Sequence, residues 1–249
     1  MIRLNPYYTM AFMGLLAALA TQYFNFSQAG YKKTVTFKIL LLTLLSSLAG
    51  VIGAVAGYWQ NAGIFRLPPA EWFEHIGLTA YHGMIAVALF FFFGCKILKL
   101  EIHRTFSIAV PSIVIFFAFG RVGCSFAGCC HGIPLSFSFL GHQFARFPTA
   151  QLESLFFSLL FIALQIYIKK RRMVITVISY AIFRFFNEFF RGDDRGMLIA
   201  GSGLSPAQII SLTLIAVTLG AMLYSQLRRK YGRQMVLPAD RHINGGVRI

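Results

Sequence analysis

The sequence predicts an all-α fold: a polytopic integral membrane protein of about seven transmembrane helices, N-terminus outside and C-terminus cytoplasmic. Three observations lead there. The chain is 57% hydrophobic and only 12% charged. Its apolar residues gather in runs near the ~20 residues that a helix needs to cross a bilayer core. Lys and Arg divide between alternate loops, as they do between the two sides of a membrane. A net charge of +15 would suggest nucleic acid in a soluble protein. Distributed in this way it reports topology, and no nucleic-acid partner is expected.

The apolar segments are residues 7–26, 37–58, 82–99, 106–120, 149–168, 173–190 and 205–225. The fourth is short, and it crosses if the bilayer adapts or Arg121 snorkels. Sixteen of the 23 Lys and Arg fall on one side: Lys32 to Lys38, Lys96 to Arg104, Lys169 to Arg172, and six after the seventh segment. The other side has Arg3, Arg66, Arg121, Arg146, Arg191 and Arg195, and Arg184 lies within the sixth segment. The richer side is cytoplasmic. Residues 1–225 then form one transmembrane domain and 226–249 a basic cytoplasmic tail. The first segment carries Arg3 and Ala18-Leu19-Ala20, as a cleaved signal can. Cleavage would put Lys32 and Lys33 on the wrong face, so an uncleaved helix is expected.

In the second segment Ser46, Gly50, Gly53 and Gly57 make one small face, suited to close packing of another helix. Pro68 to His75 hold Trp72 and Phe73 between Glu71 and Glu74, an outer interfacial element. Tyr81-His82-Gly83 opens the third segment from outside. The stretch Phe119 to Gly132 (FGRVGCSFAGCCHG) leaves the fourth and reads as a loop of close backbone packing and reactive side chains. In the fifth, Gln151, Ser154, Ser158 and Gln165 share one face and are expected to look into the bundle. Glu153 lies on another face, placed to favour the helix N-terminus through its dipole. In the sixth, Tyr180, Arg184, Asn187 and Arg191 form a polar stripe, and Glu188 stands four residues from Arg184. An ionisable residue inside a span costs roughly 2.5–3.5 kcal/mol on insertion scales, so the stripe needs a reason. Either it is a structural ion pair or it is an anion site, since a guanidinium fork matches phosphate oxygens. Ser205 and Pro206 suit the N-cap and first position of the last helix.

Tyr8, His82, Arg121, Tyr180, Arg184 and Glu188 all belong to the outer halves of their segments. Their convergence on a phospholipid headgroup is the expectation this placement raises.

Gly120-Arg121-Val122-Gly123, followed by Gly128 and Gly132, resembles the signature of the prolipoprotein diacylglyceryl transferase family. Tyr8, His82-Gly83, Pro148 to Glu153, Tyr180 to Arg184 with Glu188, and Leu204 to Gln208 resemble further pieces of that family in the same order. The resemblance implies a multi-pass enzyme of the bacterial inner (cytoplasmic) membrane. It implies transfer of a diacylglyceryl group from phosphatidylglycerol to the lipobox cysteine thiol of a prolipoprotein signal peptide. It assigns His82, Arg121 and Arg184 to catalysis, and Tyr8, Arg121, Tyr180, Arg184 and Glu188 to substrate binding, with membrane lipids around the protein, no cofactor and no metal. The chain departs from the pattern at Cys124, where the family has asparagine, and at Cys129, where it has glutamate. The glutamine motif also carries one extra residue. Cys124, Cys129 and Cys130 are read as structural or redox thiols, a metal site being disfavoured by their spacing. They support a second reading, a membrane thiol–disulfide oxidoreductase.

Overall fold

A computed structural model describes residues 6–68, 71–72, 77, 79–139, 142–192 and 203–235. Phe73, Glu74 and His75 of the expected interfacial element lie outside them, as do Asp193 to Gly196 and the chain after Met235.

Each apolar segment is a helix: α1 (Pro6–Gln28), α2 (Lys33–Asn61), α3 (Ala80–Ile97), α4 (Ile102–Phe126), α5 (Thr149–Ile166), α6 (Arg172–Asn187) and α7 (Pro206–Met235). Among the described residues, five stretches are long and apolar enough to span a bilayer: Lys33–Asn61, Ile102–Phe126, Thr149–Ile166, Arg172–Phe190 and Pro206–Arg228. His82–Ile97 is a shorter apolar stretch. Large apolar side chains face outward along these helices, among them Phe12, Ile52, Phe93, Leu159 and Val217, each more than half exposed. Ser46, Thr105, Ser112, Glu153 and Ser154 are buried instead. Lipid is the solvent that suits apolar side chains outside and polar ones within. The chain is an all-α polytopic membrane protein.

Two expectations need correction. The fourth segment is not short: α4 runs 25 residues and continues through Arg121 and Cys124, so the first half of the presumed loop is helix. Between α4 and α5 the chain also forms a hairpin, β1 (Pro134–Phe139) antiparallel to β2 (His142–Arg146), with Phe137 opposite Phe144 and an irregularity between Pro134 and Phe137.

The chain divides into two compact units. The first is Met1–Cys129 with Ala150–Met173; the second is Cys130–Thr149 with Val174–Ile249. In the first, α1 packs along α4 and α2 along α3. Phe26, Ile39, Leu42, Phe91, Cys95 and Ala109 form its core. The small face of α2 does what its spacing predicts. A Cβ on Gly50 would meet Val87 at 2.4 Å and one on Gly53 would meet Ala86 at 2.6 Å, so α3 lies directly on that stripe.

Helices α1, α3 and α4 end alike. Gly30, Lys99 and Gly128 take positive φ (80°, 53° and 67°). The next amide then reaches back five residues: Tyr31 to Phe26 O, Leu100 to Cys95 O, and Cys129 to Cys124 O at 3.3 Å. Such a cap sets its two flanking side chains against each other. The Phe26 and Tyr31 rings accordingly meet edge to face at 5.1 Å.

In the second unit, a backbone knot ties the hairpin to the end of α6. Gly132 N–H donates to Phe147 O, Ile133 N–H to Phe190 O, and Gly192 N–H to His131 O. A Cβ on Gly132 would lie 2.5 Å from Phe147 O and 2.6 Å from Phe190 O, so no side chain fits there. The Phe147 and Phe190 rings stack across the knot at 4.5 Å.

Candidate active site

His82 sits in the first turn of α3, against the end of the α2 glycine stripe. A Cβ on Gly57 would lie 2.2 Å from its imidazole Cγ. The stripe therefore makes room for the histidine as well as for the helix. Thr79 Oγ1 donates to Ala54 O at 3.0 Å and lies 3.1 Å from His82 Nδ1. With its one proton committed to the carbonyl, the threonine is an acceptor toward the ring. In the tautomer that matches this arrangement the proton is on Nδ1 and the Nε2 lone pair is the basic position. Nothing in the sequence marked Thr79, because its two partners come from different helices.

Arg121 projects from the last turns of α4. Its Nε lies 3.1 Å from Glu153 Oε2, and the glutamate side chain is fully buried. Glu153 is therefore not a helix-end charge facing away from the bundle. It points inward beside Ser154, whose hydroxyl donates to Ala118 O at 3.1 Å on α4. Gln151, expected on the inner face, is exposed. The inward face of α5 is Glu153, Ser154, Phe157, Leu160 and Leu164. A buried carboxylate needs a cation, and Arg121 supplies it. The sequence carried that signal without its address.

The polar stripe of α6 is inward: Arg184, Asn187 and Arg191 are buried and Tyr180 is half-buried. Arg184 Nη2 lies 2.8 Å from Glu188 Oε2, the expected pair, and Arg191 Nε lies 3.9 Å from the same oxygen. Glu188 falls in a short 3-10 turn at Glu188–Phe190 that closes α6. Its other oxygen accepts from Ser205 Oγ at 3.0 Å. Ser205 also caps α7: Gln208 N–H donates to its hydroxyl at 3.3 Å, and Gln208 Oε1 accepts the Ser205 N–H at 2.9 Å. This reciprocal cap anchors the start of α7 on the arginine–glutamate pair. Among the described residues, Arg184 Nη1 and Asn187 Nδ2 are buried donors with no acceptor. Donors left over around a buried guanidinium suit an incoming anion.

Tyr8 is 62% exposed on α1, and its neighbour Tyr7 is the one that packs at Gly123. Tyr8, His82 and Arg121 belong to the first unit; Tyr180, Arg184 and Glu188 belong to the second. Cys124, Cys129 and Cys130 do cluster, their Sγ atoms all within 4.8 Å of one another.

Residues 1–224 match the family model described as prolipoprotein diacylglyceryl transferase. Similar proteins include the phosphatidylglycerol–prolipoprotein diacylglyceryl transferases of Clostridium tetani (28% identical, over 87% of this chain and 91% of the relative) and Pasteurella multocida (29%, over 87% and 86%). The second such enzyme of Clostridium perfringens is 27% identical over 94% of both chains.

Proposed function

This chain belongs to the prolipoprotein diacylglyceryl transferase family, and on that basis we propose that it transfers diacylglyceryl from phosphatidylglycerol to the lipobox cysteine of a prolipoprotein. The membership favours this reading over the thiol–disulfide oxidoreductase. The observation that carries it is the pairing of two arginines with buried carboxylates in apolar helices: Arg121 with Glu153 and Arg184 with Glu188.

In the proposed reaction, His82 Nε2 takes the lipobox thiol proton, because the thiolate is the attacking species. The sulfur attacks the glyceryl carbon that bears the phosphate. A C–S bond forms, the C–O bond breaks with its electron pair on oxygen, and glycerol phosphate leaves with the proton His82 held. Arg121 and Arg184 hold the phosphate and offset the charge that grows on the departing oxygen. Glu188 orients Arg184, while Tyr180 and Tyr8 contact the headgroup. The seven helices all span the bacterial inner membrane, with the N-terminus outside and the C-terminus cytoplasmic. The charge bias of the loops supports that orientation.

The deciding experiment incubates purified protein with isotopically labelled phosphatidylglycerol and a lipobox peptide. A labelled diacylglyceryl thioether on the peptide cysteine by mass spectrometry is expected. If the peptide stays unmodified while a family enzyme modifies it alongside, the reading is wrong.

A further inference from the structure

The cap that ends α4 puts cysteines in both of the positions it brings together, Cys124 and Cys129. Gly128, at φ 67°, turns the chain back. Cys130 follows at φ 58°, a left-handed conformation uncommon for a non-glycine residue and shared here by Lys99 and Arg171. Its carbonyl is held there by the Thr149 hydroxyl at 2.6 Å. The seven residues 124–130 thereby gather three sulfurs, all within 4.8 Å of one another. Cys129 is exposed, while Cys124 and Cys130 are half-buried.

We propose that Cys124, Cys129 and Cys130 form a thiolate site for a thiophilic d10 cation, Zn2+ or Cu+. Thiolates are the donors that select these ions. With a metal–sulfur bond of about 2.3 Å, three sulfurs around one ion stand about 4 Å apart, a small contraction from the present spacing. The end of α4 adds its own preference, since helix C-terminal carbonyls favour a nearby cation. Cys130 brings in the third ligand that a single disulfide would leave idle. On binding, three S–H bonds break, three metal–sulfur bonds form and three protons go to solvent. No electrons move, so no oxidant is needed. This site is independent of the transferase reading, and its test involves no lipid.

The test uses the full-length protein, purified in detergent and reduced anaerobically with a phosphine. Zn2+ or Cu+ is added, excess metal is removed, and the metal is counted; Co2+ serves as an optical probe of sulfur ligation. The expected result is one equivalent per chain, a thiolate-to-cobalt charge-transfer band, and tighter binding as pH rises, because protons are displaced. Cys124→Ser, Cys129→Ser and Cys130→Ser should each weaken binding by more than the roughly tenfold that losing an outer-sphere partner costs. Cys95→Ser, in the core of the first unit, should leave the band unchanged. The measurement on the unaltered chain needs no variant to fold. Absence of the band while thiol titration finds all four cysteines reduced would overturn the proposal. So would equal binding by the triple serine variant, or a protein that holds a Cys124–Cys129 disulfide and takes up no metal once reduced.

Discussion

Thr79 is the smallest part of the site with a definite task. Its hydroxyl lies between Ala54 O and His82 Nδ1, placed to set which ring nitrogen carries hydrogen. Thr79→Val should lower kcat while leaving KM for phosphatidylglycerol nearly unchanged, whereas Thr79→Ser should restore most of the rate. His82→Asn removes the proton acceptor, and a loss of about 10²–10⁴ in turnover is expected. Arg184→Ala and Arg121→Ala should each cost about 10²–10³ in turnover by the lipobox-peptide assay. If both serve the same phosphate, the double variant will lose much less than the product of the single losses. Full lipidation by both single variants would exclude the assignment. Residue types were legible in the sequence at this scale, because an arginine among phenylalanines stands out. Partners were not: Glu153 and Arg121 are separated by a hairpin and a helix boundary that no local pattern encodes.

At the scale of elements, the α2 stripe and the α7 cap are the critical joints. Gly57→Ala would drive a methyl group into the His82 ring, and overpacking of this kind costs about 1–3 kcal/mol. The expected outcome is a lower melting temperature in detergent together with lost activity, since the obstructed group is the proposed base. Ser205→Ala removes a helix cap, worth about 1 kcal/mol, and leaves Glu188 Oε1 without its donor. Circular dichroism melts should show the loss, and Ser205→Thr should recover it. The seven helices were readable as apolar runs because lipid demands them. The end of α4 looks like loop because of its glycines and cysteines, while the chain keeps its helical hydrogen bonds as far as Phe126. The hairpin is hidden for a related reason: its short alternation of serine and phenylalanine is too brief to stand out between two long apolar spans.

For the whole molecule, exposed apolar side chains outside and polar ones inside mark a protein solvated by lipid. A cytoplasm-dependent reporter fused after Ile249 should be active and one fused ahead of α1 inactive, and the reverse pattern would invert the proposed topology. Apolar runs and the bias of Lys and Arg made this much legible, since both follow from what a bilayer tolerates. The division into two compact units had no such signature, because it depends on which helices touch. The backbone knot has a consequence for biogenesis. His131 to Ile133 leave the ribosome well before Phe190 and Gly192, the partners that close it. A nascent chain halted ahead of Phe190 therefore carries a half-made clasp, and protease should cut its hairpin until Phe190 and Gly192, beyond the end of α6, are translated.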